Sequence, residues 1–330
     1  MRELLRTMKA RLMAGEDLVM ATVTASSGAV PRGAGARMLV GCEGRIYGTI
    51  GGGAVEHKAV LIAFDVLKNK SSCKQSFNLN QDDVQKLGMI CGGACSVFFH
   101  YIPGNDAHAI ALAEEAERYF AECKDLWMIS DIAADGKLSL ADETCEDMTE
   151  LLTRKPNRVM KDGKDLFIEK ISSAGYVYVF GGGHVAQELV PVLSKVGFRC
   201  IVMDDREEFT QAELFQTAEK IILGDFYHVL DYCPIGEEDY VCIMTRGHAY
   251  DTVLQAQVLK CRPCYCGVIG SRSKAAGVRK VLKEEYGLSD EELDLVTTPI
   301  GLSIKSETPE EIAISIAAQM ILHRAERKEK

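Results

Sequence analysis

The stretch that decides the fold of the second half of the chain is Tyr176-Val177-Tyr178-Val179-Phe180-Gly181-Gly182-Gly183-His184-Val185-Ala186. Its first five residues form a continuous β-branched and aromatic run, which predicts a buried strand of a parallel sheet. The glycines fit the pattern G-x-G-x-x-G/A, with Ala186 in the last position. Gly181 permits a tight turn, Gly183 lets the backbone approach a phosphate, and Ala186 allows a helix to pack closely on the sheet.

The rest of the second half alternates between apolar strands and helical patterns. Strands are predicted at 199–203, 220–223, 240–244 and 264–269, and helices at 184–196, 252–260 and 273–286. Strands that alternate with helices indicate βαβ units and a doubly wound parallel sheet. A last helix is predicted after Thr308-Pro309-Glu310-Glu311, which contains a capping box and a proline at the first helical position.

The first half has a mixed pattern. Strands are predicted at 18–24, 37–40, 45–50, 96–101 and 126–133, and helices at 54–67 and 107–123. From 142 to 170 the chain turns polar, and we place the domain boundary near 165–174. The sequence therefore predicts an α/β protein. An N-terminal α+β domain at residues 1–170 precedes a C-terminal Rossmann-like domain with a doubly wound parallel sheet at 171–330.

Composition excludes several classes of protein. The 330 residues carry a formal net charge of −10, which is unfavourable for a general nucleic-acid binder. No stretch approaches the roughly 20 apolar residues of a membrane helix, and charges near Met1 interrupt any secretion signal. We therefore expect a cytoplasmic protein with neither a nucleic-acid nor a membrane partner. Its 12 cysteines are expected to be reduced, buried, catalytic or metal-linked thiols, in preference to disulfide pairs.

Candidate ligand-binding residues in the second half follow the predicted strands. Asp204 lies 23 residues after Gly181, close to the position of a ribose-binding acid. Other polar residues lie at the carboxyl edge of the sheet, where ligands of such folds bind. The candidate binding residues are Gly181, Gly182, Gly183, His184, Val185, Asp204, Arg246, Gly247, His248, Ser271 and Arg272. The acid–base candidates are His184, His248 and Asp251. A nucleotide, another ligand or ordinary solvated loops all remain open at this point.

The first half adds two glycine-rich loops. Arg32 lies in a small-residue loop, and Gly51, Gly52, Gly53 and Glu56 follow a predicted strand. Bare backbone N–H groups in such a loop can bind an anion, whereas Glu56 can equally be an acid at the start of a helix.

Cys91 precedes two further glycines. Its side chain is either an accessible thiolate or an inert, buried thiol. Cys261, Cys264 and Cys266 lack the further ligands that a zinc site needs. No metal ligand is therefore assigned with certainty.

Nine blocks of the sequence, in order, resemble the xanthine dehydrogenase accessory factor family, the XdhC/CoxI maturation factors of molybdenum hydroxylases. The blocks are 28–40, 48–56, 89–93, 180–186, 204–206, 246–248, 267–272, 299–302 and 308–313.

The resemblance implies an accessory protein, in preference to an enzyme with its own turnover. Such a protein binds the molybdenum cofactor, supports its sulfuration with a cysteine desulfurase, and delivers it to an apo molybdenum hydroxylase. Homodimers are common in the family. In this interpretation the turn at Gly181–His184 binds the phosphate of the cofactor, and Cys91 contacts the molybdenum or carries sulfur.

Two other functions stay open. An NAD(P)-dependent oxidoreductase would use the same Gly181 turn together with Asp204. A non-catalytic interaction scaffold would keep the fold while its glycine loops bind no ligand.

Overall fold

The computed structural model describes residues 1–28, 30, 32–78, 93–122, 124–133, 136–172, 175–246 and 248–329. For residues 78, 248, 249, 272–274, 328 and 329 it describes the backbone only. The chain divides into two compact units, Met1–Ser173 and Ala174–Lys330. The predicted boundary after residue 170 lies three residues before this division.

The first unit is an α+β structure with two antiparallel sheets. Its helices are α1 (Arg2–Met13), α2 (Gly53–Asn69) and α3 (Ala107–Glu122). Its strands are β1 (Leu18–Ser27), β2 (Arg37–Gly41), β3 (Gly44–Gly48), β4 (Cys73–Asn78), β5 (Ala94–Ile102), β6 (Leu126–Asp131), β7 (Leu138–Ala141), β8 (Asn157–Lys161) and β9 (Lys164–Ser172). The strand orders are β3-β2-β1-β5-β4 and β7-β6-β9-β8.

Strand β1 is largely apolar and is buried from Leu18 to Thr24, because both of its faces are covered there. Leu18 and Met20 belong to a core cluster that includes residues of α1 and α3. Val19 and Ala21 belong to a second cluster that includes residues of α2. Side chains alternate across a strand, so a continuous apolar run is the pattern expected for a strand buried on both sides.

The polar stretch that the sequence analysis leaves without strands contains the hairpin β8–β9. Its two-residue turn is Asp162-Gly163, with φ +50° and +77°. Asp-Gly is a preferred pair for a type I′ hairpin turn, so this dipeptide was the available signal. The strand pattern was hard to recognise because of its charged side chains. Strand β8 is exposed on alternate residues, and only β9 contributes a buried run.

The second unit is a doubly wound sheet. Its strands are β10 (Val177–Phe180), β11 (Cys200–Asp204), β12 (Lys220–Leu223), β13 (Tyr240–Ile243), β14 (Tyr265–Val268) and β15 (Val296–Thr297). Its helices are α4 (His184–Lys195), α5 (Val229–Tyr232), α6 (His248–Val258), α7 (Arg272–Tyr286), α8 (Asp290–Leu293) and α9 (Pro309–Glu329). All strand pairs are parallel, in the order β12-β11-β10-β13-β14-β15.

This order is that of the Rossmann fold, and it confirms the predicted fold class. The chain moves outward in one direction from β10 to β12, then returns to place β13 on the other side of β10. The carboxyl ends of β10 and β13 therefore mark the switch point, where ligands of open α/β sheets bind. The capping box that begins α9 is also confirmed, because Thr308 and Glu311 exchange hydrogen bonds between side chain and backbone.

All ten cysteines in the described part of the chain are free, as expected for reduced thiols. None of its helices combines the length and apolar character needed to cross a bilayer.

Candidate functional site

The turn after β10 contains three glycines in three different environments. Gly181 has φ +107°, and a Cβ atom there would lie 2.5 Å from the carbonyl oxygen of Met244. A Cβ on Gly182 would lie 2.3 Å from the carbonyl oxygen of Phe209. A Cβ on Gly183 would meet no atom within 4 Å. The first two glycines are therefore required for packing, whereas the third borders open space.

Gly183 is also the N-cap of α4, and no side chain caps this helix end. The first N–H groups of an α-helix have no partner within the helix. Together with the helix dipole they form an anion site. His184 is exposed at the first turn, whereas Ala186 is buried against the sheet as predicted. Within the described residues, open space and the uncapped first N–H groups of α4 thus coincide at the predicted phosphate position.

Asp204, at the end of β11, is occupied by partners within the protein. Its Oδ2 accepts hydrogen bonds from the Gly182 N–H at 2.7 Å and from Arg206 Nη2 at 3.2 Å. Its Oδ1 accepts from the Arg206 backbone N–H and from Arg206 Nε. Burial raises the pKa of Asp204, but these hydrogen bonds outweigh it, and the pKa lies below its ordinary value. The carboxylate holds the glycine turn in place.

Arg206 is the residue of this group that sequence reasoning did not select. Its guanidinium carbon lies 3.8 Å from the centroid of the Phe209 ring, so the side chain is stacked as well as hydrogen-bonded. The available signal was its spacing, because an arginine two residues after a strand-ending aspartate can reach back to that carboxylate.

The loop after β13 brings further predicted residues to the same sheet edge. Arg246 donates to Asp205 Oδ2 at 3.2 Å, and Thr245 Oγ1 donates to Asp251 Oδ1 at 2.6 Å. Asp251 is buried. Gly247 lies outside the described residues, and for His248 only the backbone is described. Their predicted roles stay predictions.

The loop after β14 contributes Ser271 and Arg272. Ser271 is exposed to solvent and lines a cavity with Asp251. Arg272 is the first residue of α7, and its side chain is not described.

Two N–H donors in the glycine loop of the first unit have acceptors within the chain. The Gly52 N–H donates to Glu56 Oε2 at 3.2 Å, and the Gly51 N–H donates to Thr49 Oγ1 at 3.1 Å. Glu56 Oε1 in turn pairs with Arg45 Nη1 at 2.9 Å. A carboxylate of the chain itself thus lies where an external anion was predicted. Gly53 is the first residue of α2.

Two further residues of the first unit, Arg32 and Cys91, were also predicted to lie in a site. Arg32 is exposed, and Cys91 lies outside the described residues. The described side chains contain no group of three or more His, Cys, Asp or Glu that could hold a metal ion.

A buried ion pair in the first unit was also missed. Arg37 Nη1 contacts Glu169 Oε1, and the two side chains are 2% and 6% exposed. Burial lowers the pKa of Arg37 to about 9. An arginine at the start of an apolar strand was a signal, but its partner lies in β9, which the sequence analysis did not predict.

Family models match both units. The model described as XdhC Rossmann domain matches residues 177–320, and the model described as XdhC and CoxI family matches residues 11–78. The chain belongs to the XdhC and CoxI family. The first match contains the glycine turn, Asp204, Arg246 and Asp251.

Individual relatives extend the similarity to nearly the full chain. A Bacillus subtilis (strain 168) protein, described as a probable xanthine dehydrogenase subunit, is 23% identical over 325 residues, 94% of both chains. The uncharacterized protein YqeB of Escherichia coli (strain K12) is 24% identical over 306 residues, which are 92% of this chain and 42% of that protein.

A solved structure has the same fold. A crystal structure described as a xanthine dehydrogenase from Bacillus halodurans superposes with a TM-score of 0.79 at 25% identity. The similarity covers 99% of this chain and 96% of that one. The fold of both units is therefore shared with this relative.

Proposed function

We propose that this family member is an accessory protein of a xanthine dehydrogenase-type molybdenum hydroxylase. In this proposal it binds the molybdenum cofactor as cargo, receives sulfur for the metal from a cysteine desulfurase, and delivers the cofactor to the apo-hydroxylase. Membership of the XdhC and CoxI family and the name of the Bacillus subtilis relative support the association with such enzymes.

The observation that carries the proposal is the open, uncapped start of α4 at Gly183. The cofactor carries a phosphate, and backbone N–H groups at a helix N-terminus are suited to it. The phosphate is therefore the end of the cargo that the described residues fit. The metal contact predicted for Cys91 lies outside the described residues and stays a prediction.

The geometry favours this cargo over a dinucleotide. In a dinucleotide site, the acid at the end of the second strand accepts hydrogen bonds from a ribose. Here both oxygens of Asp204 already accept two hydrogen bonds each, from Gly182 and Arg206. A ribose would have to displace the arginine. The phosphate position at Gly183 has no such competitor among the described side chains.

Two substitutions of Gly183 test the proposal. Asp and Asn are both good N-caps, so Gly183→Asp and Gly183→Asn are expected to keep the stability of the parent within about 1 kcal/mol. The aspartate also places a negative charge where the phosphate binds. We expect Gly183→Asp to retain at least tenfold less cofactor than the parent, and Gly183→Asn to lose less.

The measurement is molybdenum and pterin content after purification of each protein from molybdate-fed cells, with urea unfolding as the stability check. Equal retention of cofactor by the parent and Gly183→Asp would refute binding of the phosphate at this turn.

A further inference from the structure

Helix α9 has an apolar outer face in addition to its buried inner face. The inner face packs with α4 and the sheet through Ala313, Ile316, Ala317 and Met320. The outer face is formed by Ile314, Ala318, Ile321, Leu322 and Ala325. Ile314, Ile321 and Leu322 are 52%, 39% and 47% exposed. A helix at the surface of a globular protein normally presents polar residues to solvent, so this face is suited to contact with another protein surface.

The residues of the outer face follow a heptad repeat. Ile314, Ala318, Ile321 and Ala325 are separated by four, three and four residues, which is the a/d spacing of a coiled-coil seam. The isoleucines occupy one of the two positions of the repeat, and the alanines occupy the other. A helix with such a seam packs lengthwise along a second helix.

The seam is complementary to a second copy of itself in the antiparallel orientation. When Ile314 faces Ala325 of the second copy, Ala318 faces Ile321 of the second copy, and a twofold axis repeats both pairs. Every layer then combines a large side chain with a small one, which fills the space between the helices. A parallel pair would place alanine against alanine and isoleucine against isoleucine.

The charges at the two ends of α9 also favour the antiparallel orientation. The heptad repeat continues to Glu311 at one end and to Lys328 at the other, so antiparallel copies bring these two positions opposite each other. Glu311 is exposed, and its Oε2 accepts the Glu307 and Thr308 N–H groups. A carboxylate offers about four lone-pair sites, so an ammonium group can be added. Antiparallel helix dipoles attract each other as well.

The arginines in the second half of α9 contact their own chain. Arg324 Nη1 donates to the backbone oxygen of Val196 at 3.1 Å, and Arg327 Nη2 donates to Glu238 Oε1 at 2.8 Å. The seam from residue 314 to residue 325 is therefore lined by apolar side chains. Pairing along it buries no unpaired arginine, which would be costly.

We propose that the outer face of α9 is the docking surface for a second copy of this chain, with the two α9 helices antiparallel across a twofold axis. Ile304 extends the surface beside the helix, because it is 51% exposed and its loop is joined to α9 by two hydrogen bonds between Leu302 and Ser315. The apolar area removed from water stabilises the pair. The pairing needs neither the glycine turn nor the cofactor, so it is independent of the proposed function.

Light scattering of the full chain over a range of concentrations tests the inference, and we expect the mass of a dimer. Ile321→Glu places a carboxylate in the seam and is expected to raise the dissociation constant at least tenfold. Leu295→Glu makes a comparable change at a side chain that is 41% exposed and lies outside α9, and it should leave the dimer as in the parent. Both positions are exposed, so both variants are expected to fold, which circular dichroism checks.

Cysteine cross-linking tests the orientation of the helices. Positions 314 and 325 lie about 16 Å apart along one helix, too far for a disulfide within the chain. We expect the double variant Ile314→Cys, Ala325→Cys to form disulfide-linked dimers when it is oxidised with copper phenanthroline, and each single variant to form none. The parent is the control, because its exposed Cys42 reports unspecific cross-linking.

Each outcome has a defined meaning. The mass of a single chain at every concentration, or a dimer that Ile321→Glu leaves unchanged, would overturn the inference. Cross-linking of either single variant beyond the parent would show parallel helices and overturn the orientation. A monomeric parent whose delivery of cofactor to a hydroxylase is lost in Ile321→Glu would assign the face to the hydroxylase and overturn the inference. An Ile321-dependent dimer that retains no molybdenum cofactor would refute the proposed function and leave this inference standing.

Discussion

Gly181, Gly182 and Gly183 are consecutive in the chain but are glycines for different reasons. Gly181 needs a left-handed backbone conformation, and both Gly181 and Gly182 approach a backbone carbonyl too closely for a Cβ atom. Gly183 has φ −68° and no close neighbour, so any residue fits its conformation. Stability and the proposed phosphate binding can therefore be tested separately within one turn.

This difference predicts opposite results for two alanine substitutions. Gly181→Ala places a Cβ against Met244 at positive φ and is expected to cost at least about 2 kcal/mol of unfolding free energy. Gly183→Ala is expected to change the unfolding free energy by less than about 1 kcal/mol. Urea unfolding of the two variants and the parent gives both values. Equal stability of the two variants would contradict the environments assigned here.

At the residue scale, the sequence predicted the glycine turn but not the hydrogen-bond partners of the side chains around it. The spacing of Gly181, Gly183 and Ala186 was sufficient because each role depends on backbone geometry. The hydrogen bonds that Asp204 accepts from Arg206 were not predicted. They depend on the rotamer of Arg206 and on the Phe209 ring, on which the guanidinium stacks. The same holds for Glu56, whose carboxylate caps its own loop.

Among the elements, the hairpin β8–β9 is stabilised by one carboxylate, that of Asp165, which contacts both Arg158 and Lys74. Arg158 donates through Nε and Nη2 to the two oxygens of Asp165, at 2.7 and 2.6 Å. Lys74 of β4 also contacts this carboxylate, at 2.5 Å. Hydrogen bonding to Arg158 is the main cause that lowers the pKa of Asp165 to about 2, with burial opposing and Lys74 assisting. Asp165 thus joins the hairpin to the five-stranded sheet.

A pH-dependent loss of stability follows from this pKa. Because the folded-state pKa lies below the unfolded value of about 3.9, the stabilisation is complete above about pH 4 and disappears as the pH falls towards 2. Arg158 is partly exposed, so solvent screening limits the effect, and Asp165→Asn is expected to cost about 1 kcal/mol at pH 7.

Urea midpoints of the parent and Asp165→Asn between pH 7 and pH 3 test this prediction. The difference should shrink as the pH falls below 4. Asp162→Asn is the matched control, because this exposed carboxylate of the same hairpin takes part in no ion pair within the described residues. A difference that stays constant with pH would show that the ion pair is not its cause.

At the scale of the elements, most long or periodic segments were predicted, with α1 as an exception, and short or charged ones were not. Strands β10, β13 and β14 of the second unit are continuous buried runs because both faces of the sheet are covered there. Strand β15, with two residues, and α8, with four, are too short for any periodicity. The hairpin β8–β9 lacked an apolar run in β8, and its Asp-Gly turn was the main signal.

For the whole molecule, the proposed function rests on two properties: the family of the chain and the Rossmann strand order of its second unit. The order of strands places the glycine turn and the Thr245–Asp251 pair at one edge of one sheet, which alternating elements in the sequence already predicted. The cavity was not predictable, because it depends on the packing of α6 and α7 against β14. The homodimer implied by the resemblance stays a prediction, which light scattering of the purified chain tests.

Delivery of the cofactor is the most direct measurement of the central claim. The chain, loaded with molybdenum cofactor, is mixed with an apo-hydroxylase of the xanthine dehydrogenase type, and hydroxylase activity is followed against an equal amount of free cofactor. The account predicts that activity rises with the loaded chain, saturates, and exceeds that from free cofactor, whereas Gly183→Asp prepared in the same way gives little. Activation by free cofactor together with none from the loaded parent chain would contradict it.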